Sequence, residues 1–280
     1  MIRIGACAGW LRQAFSWPEW LLFASLYGSV RAVGRPGVLT WSVPFGVLVS
    51  LSFFVMLKLL DEIMDYEQDR LAQRDSFLLR GEASLGDLRA LLLVTVTVQG
   101  GYTVVSGSAA ALPIWIVLLA CAWQLAHPVL ASRPIVYSLL HYLLLHGFAW
   151  WQFAILSGDW RLQGRHLLLM ALFYGGAMQY ELSRKLDPLR GYAGVLRLGQ
   201  GCMLAVGFCL LASVAAGTLS VNMSGKAWGA ALAAGVFMLV LLMHGRLAMR
   251  PSGPAKTWAR HASGLSLLSL NLTIAASAMN

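Results

Sequence analysis

Long apolar blocks separated by short polar clusters dominate the chain, and block length decides how they are read. A helix needs about 20 mostly apolar residues to cross the hydrocarbon core of a bilayer. Nine stretches approach that length, at 18–34, 38–62, 88–106, 110–127, 134–157, 165–186, 198–217, 226–245 and 262–279. The apolar signal is faintest in the first and last. The pattern predicts an all-α polytopic membrane protein of about nine transmembrane helices. No linker, low-complexity tract or soluble segment divides it, so residues 1–280 read as a single transmembrane domain.

Composition supports this reading. The chain is 58% hydrophobic and only 12% charged, against about 25% charged in an ordinary soluble domain. A net charge of +9 raises the question of nucleic acid, but the placement of the charges answers it. With the N-terminus inside, only Arg31, Arg35, Arg161, Arg165 and Lys226 fall in outer segments, and Lys58 falls within a span. All other Lys and Arg lie on the inner side, as the positive-inside rule describes. The basic balance therefore reflects topology and attraction to a lipid bilayer, and no nucleic acid is implied. The expected location is a bacterial cytoplasmic (inner) membrane. The segment "MIRIGACAGWLRQAFSWPEW" has no apolar core ending in a cleavage site, and reads as a retained interfacial helix with Trp10, Trp17 and Trp20 at headgroup level. Cys7, Cys121, Cys202 and Cys209 are scattered, without paired spacing.

The chemistry concentrates at "LKLLDEIMDYEQDRLAQRD" (57–75). On a helix, residues four apart share a face, so Asp61, Asp65 and Asp69 form one slowly drifting stripe. Like charges at that spacing repel, and hard carboxylate oxygens suit Mg²⁺. The alternative is a helix that has emerged into water, with Glu62, Glu67 and Arg70 completing an ordinary solvated face.

The residues that follow separate these readings. "DEIMDYEQDRLAQRDSFLLRGEASLGDLRALLL" resembles the first aspartate-rich motif and the following loop of the UbiA superfamily of intramembrane prenyltransferases. Asp61, Asp65 and Asp69 match the acidic positions, Arg80 and Gly81 match the loop end, and Ser84 with Asp87 reads as a capping box. "RPIVYSLLHYLLLHGFAWWQFAILSGDW" resembles the family's fifth span at Tyr137, His141, Asp159 and Trp160. "YELSRKLDPLRGY" resembles the inner end of its sixth span at Glu181, Arg184 and Lys185. The chain departs from the family where many members carry a second DxxxD motif: it offers only Glu181 and Asp187 there. Its first loop also lacks the family's proline-rich pattern.

The resemblance implies helices around a central intramembrane cavity and a prenyltransferase activity. An isoprenoid diphosphate would be ionised and its prenyl group passed to a small acceptor, often a phenolic one. Mg²⁺ would be held by Asp61, Asp65, Asp69 and Glu181, the implied catalytic set. Arg74, Arg80, Arg184 and Lys185 would bind the diphosphate, with Tyr137, His141, Tyr174 and Tyr180 also lining the substrate site. Aromatic rings on the fifth and sixth spans, among them Tyr142, Trp150, Trp151 and Phe173, are available to shelter an allylic cation. Two other functions are compatible with the same scaffold. One is a terpene cyclase that folds the cation onto its own double bonds. The other is a lipid-binding or transport protein that performs no chemistry.

Overall fold

The structure, a computed structural model, describes residues 3–34, 42–71, 77–126, 134–186 and 196–278. The described residues form ten α-helices: α1 (Ile4–Ala14), α2 (Trp17–Gly34), α3 (Ser42–Leu71), α4 (Leu85–Val105), α5 (Ala111–Leu125), α6 (Pro134–Ser157), α7 (Gly164–Lys185), α8 (Leu198–Ser224), α9 (Trp228–Met249) and α10 (Gly253–Ser277). Each of the nine apolar stretches falls on one of α2–α10. Three run well beyond the apolar pattern: α3 continues to Leu71, α8 continues to Ser224, and α10 begins at Gly253.

Five segments, Val43–Glu67, Leu85–Val105, Ile135–Ser157, Leu198–Ser224 and Trp228–Met249, are long and apolar enough to cross a membrane. The chain is an integral membrane protein. α5 is apolar but has only 15 residues. α2, α7 and α10 fall below the same measure of apolarity, and packing explains it for the last two. α7 buries Gln179, Glu181 and Ser183 among its neighbours, and α10 buries Ser263, Ser266, Asn271, Thr273 and Ser277. A side chain facing protein rather than lipid can be polar if the protein satisfies it. Here Ser266 donates to Gln179 Oε1 (3.0 Å), Ser29 donates to Asn271 Oδ1 (2.8 Å), and Ser183 Oγ meets His244 Nε2 (2.8 Å) and Ser263 Oγ (2.7 Å).

Helices α2–α10 pack in chain order, each on the next, and α10 returns to α2 and α7 to close the ring. The tightest seam lies between α7 and α8. A Cβ at Gly175 would sit 2.7 Å from the Phe208 carbonyl oxygen and 3.0 Å from the Ala212 amide nitrogen. The two backbones therefore touch, as small residues permit between membrane helices.

α1 stands outside the ring. Its apolar face, with Trp10 and then Phe15, packs on Val55, Leu59, Phe77, Leu78, Ala83 and Leu88. Trp10 is thus 2% exposed and does not sit among headgroups, contrary to the expectation from sequence. The segment around Phe77 and Leu88 offers it a protein surface instead. Trp17 is the exposed tryptophan of this region.

Gly175→Ala is expected to lower the thermal unfolding temperature in detergent, at a cost of about 1–3 kcal/mol for forcing a methyl into a filled seam. An unchanged transition would show that α8 yields freely.

Candidate active site

A cavity of about 590 Å³ lies between α1, α2, α3, α6, α7 and α10, at the end of the bundle where α3 and α7 stop and α4 and α6 begin. Its lining changes character with depth. Near the helix ends it is polar, with Lys58, Asp61, Glu62 and Asp69 from α3, His141 and Tyr142 from α6, and Tyr180 and Arg184 from α7. One or two turns deeper it is apolar, bordered by Leu26, Phe54, Leu144, Leu145, Ala177 and Leu267. Phe54 stacks on Phe23, with centroids 4.1 Å apart and planes 5° from parallel, and Phe148 lies beyond at 5.4 Å.

The α3 wall carries the acidic stripe. Asp61 and Asp69 both border the cavity, and Asp65, half-buried between them, lies close enough to act electrostatically on Tyr137. Tyr137 donates from its hydroxyl to Asp61 Oδ1 at 3.0 Å. Lys58 pairs with Glu62 one turn on, at 3.0 Å.

The α7 wall is organised around Glu181, which is 3% exposed. Glu181 Oε2 accepts from Arg184 Nη2 (2.8 Å) and Nε (3.2 Å) and from the Tyr142 hydroxyl (3.0 Å). Glu181 Oε1 pairs with Lys185 Nζ at 2.5 Å. His141 stands between the walls, its ring 5.2 Å from that of Tyr137 and 5.6 Å from that of Tyr142. Among the described residues, no three His, Cys, Asp or Glu side chains converge closely enough to cage a metal ion by themselves.

Some residues singled out from sequence lie elsewhere. Tyr174 does not border the cavity; its hydroxyl donates to the Leu139 carbonyl (3.4 Å), and its ring packs against His146 and Phe208. Trp151 and Phe173 are fully buried packing residues. Trp150 donates to the Trp160 carbonyl (2.8 Å) at the far end of the bundle, where Asp159 accepts from the Arg161 amide (3.2 Å). Arg80 is paired with Glu82, donates to Gln13 Oε1 (2.7 Å) and lies over the Phe77 ring. It thus braces two cavity-lining residues from behind. Arg74 and Asp187 lie outside the described residues.

Other lining residues were not anticipated. Trp10, Gln13, Ala14 and Phe15 bring α1 into the wall, and Glu19 joins them from the start of α2. Glu19 accepts from the Ser16 amide (2.7 Å) and hydroxyl (2.8 Å). That Ser-x-x-Glu box is visible in the sequence as a helix start, but nothing in it announces a cavity. α1 is fixed by a charged knot. Asp87 closes the predicted capping box, with its Oδ2 accepting from the Ser84 amide (3.0 Å) and hydroxyl (2.7 Å). Arg3 binds the same carboxylate through its amide (3.0 Å) and Nη2 (2.8 Å). Gly81, at φ 73°, turns the chain into this cap in a conformation that glycine adopts at little cost.

The backbone fold is similar to that of the apo structure of a UbiA homolog from Aeropyrum pernix K1, with a TM-score of 0.67 at 17% identity over 95% of this chain and 98% of that one. The chain has the UbiA fold. A structure of digeranylgeranylglyceryl phosphate synthase is also similar, with a TM-score of 0.65 at 12% identity over 92% of this chain and 93% of that one. No family model and no curated protein matches the sequence. At these identities the UbiA likeness is a likeness of fold, and the residues lining this chain's cavity have to be read by themselves.

Arg3→Ala is expected to speed amide hydrogen exchange across α1 by about tenfold, because a partly exposed charge-assisted contact contributes roughly 1–1.5 kcal/mol. Exchange in α7 should not change. Equal acceleration in both helices would mean that Arg3 supports the whole bundle rather than α1.

Proposed function

We propose that this chain is a Mg²⁺-dependent intramembrane prenyltransferase that ionises an isoprenoid diphosphate and transfers the prenyl group to a small acceptor, often aromatic. The observation that carries this reading is the single cavity in which carboxylates and a guanidinium at the helix ends open onto an apolar, aromatic-floored interior. A diphosphate needs the first and an isoprenoid tail needs the second. The UbiA fold supports the same substrate class, and the digeranylgeranylglyceryl phosphate synthase that shares it is named for isoprenoid chemistry. We place the charged end on the cytoplasmic side of a bacterial inner membrane, with the N-terminus inside, because most Lys and Arg flank that end.

The donor set on α3 fits the metal. Mg²⁺ takes one or two carboxylates and completes its octahedron with water and substrate phosphate, and Asp61 and Asp69 present hard oxygens to one cavity wall. When bound there, Mg²⁺ supplies Lewis-acid stabilisation of the negative charge that collects on pyrophosphate.

The protein's own groups do the rest. The C–O bond of the allylic diphosphate breaks, pyrophosphate departs toward Arg184 and Lys185, and their fixed positive charge stabilises it. Tyr142 and Tyr180 border the cavity and offer ring faces to the allylic cation, each contributing about 0.5–2 kcal/mol by cation–π attraction. Trp10 and Phe15 of α1 close the wall against water. The acceptor's nucleophilic atom then bonds to the cation, and the proton it loses passes to the departing pyrophosphate.

The test is pyrophosphate release by the purified protein, given Mg²⁺ and prenyl diphosphates of increasing length, with and without phenolic acceptors. Release only with an acceptor is expected. Terpene hydrocarbon or alcohol formed without one would assign a cyclase, and no release under any condition would leave a lipid-binding protein. Asp61→Asn should cut turnover at least about a hundredfold in a protein with unchanged unfolding temperature. Phe54→Ala should open the aromatic floor and move preference toward a longer isoprenoid by about tenfold in kcat/KM.

A further inference from the structure

The two walls of the cavity are not chemically equivalent. On α3, Asp61, Glu62, Asp65 and Asp69 outnumber Lys58, so the wall has an excess of carboxylates. On α7 the single carboxylate is saturated. Both oxygens of Glu181 are engaged, Oε2 by Arg184 and Tyr142 and Oε1 by Lys185. A divalent cation at Glu181 would have to displace an ammonium and part of a guanidinium from a residue 3% exposed. It would then sit beside both displaced positive charges. Geometry works against that exchange as well, because Arg184 and Lys185 lie three and four positions from Glu181 on the same helix. Their side chains can swing aside only by leaving the buried Glu181 carboxylate without its cation partners.

The same contacts give the cations a use. Glu181 takes the Nε and Nη2 edge of the Arg184 guanidinium, and this group borders the cavity opposite the α3 carboxylates. A guanidinium held along one edge is a preorganised donor for phosphate oxygens. With two cations to one carboxylate, the α7 wall keeps a net positive charge.

Resting on the prenyl diphosphate reading above, we propose that this chain binds its substrate with metal on one wall only. The α3 carboxylates carry the divalent cation. Arg184 contacts the diphosphate directly in place of a second metal, and Lys185, held on Glu181 behind it, adds positive charge. Glu181 and Tyr142 are positioning residues that hold the cation pair, and Glu181 is not a metal ligand.

The experiment counts metal. The full-length protein in detergent is titrated with Mn²⁺ in the presence of a prenyl S-thiolodiphosphate, an unreactive substrate analogue, and bound Mn²⁺ is read by electron paramagnetic resonance. Analogue affinity is measured separately by calorimetry. The wild-type protein should bind one Mn²⁺ per chain with the analogue present, and Glu181→Gln should leave that count at one while weakening the analogue about tenfold. Arg184→Gln should likewise keep the count at one and weaken the analogue by tenfold or more, whereas Asp61→Asn should lose the ion. Two Mn²⁺ per wild-type chain, with one lost in Glu181→Gln or Asp187→Asn, would overturn the one-wall arrangement and leave the prenyl diphosphate reading standing. Failure of the wild-type protein to bind the analogue with any metal would remove both. The wild-type count needs no variant, so a misfolded mutant does not blunt the test.

Discussion

A carboxylate buried in a helical bundle has to be neutralised where it stands, because water is not there to do it, and Glu181 is neutralised by its own helix. Its partners come from one turn further along α7, so the cluster is set by helix geometry before any loop is considered. Breaking such a group by removing one member leaves an uncompensated charge, which costs far more than the intact pair contributes. This rigidity passes outward through α6. Tyr142 ties α6 to Glu181, and one turn earlier Tyr137 ties α6 to Asp61 on α3. Two phenols on one helix thereby space the basic wall from the acidic wall, with His141 between them.

Much of the architecture could be read from the pattern of residues, since span-length apolar blocks leave little choice of fold. The acidic stripe was legible for the same reason: a spacing of four on a helix places its members on one face, and Asp61 and Asp69 do share a cavity. Tyr174 was misplaced because type was weighed over position. It lies six residues from Tyr180, about 120° away around the helix, so both rings cannot face one chamber. The pattern finds α7 and α10 only as weaker apolar stretches because their polar side chains are spent on neighbouring helices, and no sequence signal names those partners. The part played by α1 was invisible too, since its docking depends on Asp87, 84 residues further along the chain.

The likeness to solved structures shows what survives when sequence does not. At 12–17% identity the order and packing of helices persist over nearly the whole chain. In this chain that packing is built where small residues let backbones meet, as at Gly175, and where buried hydroxyls and amides pair across helices. Fold does not decide chemistry by itself; in this chain the charged side chains gather at the helix ends around one cavity.

Ring closure by α10 has a consequence for how the protein is made. α2 leaves the ribosome well before α10, yet they form one wall, with Ser29 bonded to Asn271 across 242 residues of sequence. Leu267 of α10 borders the same chamber as Leu26 of α2. Until α10 enters the bilayer, α2 presents Ser25 and Ser29 and a half-built chamber to lipid. The nascent chain therefore has no enclosed interior to fill, and the chamber comes into existence only once α10 has joined α2.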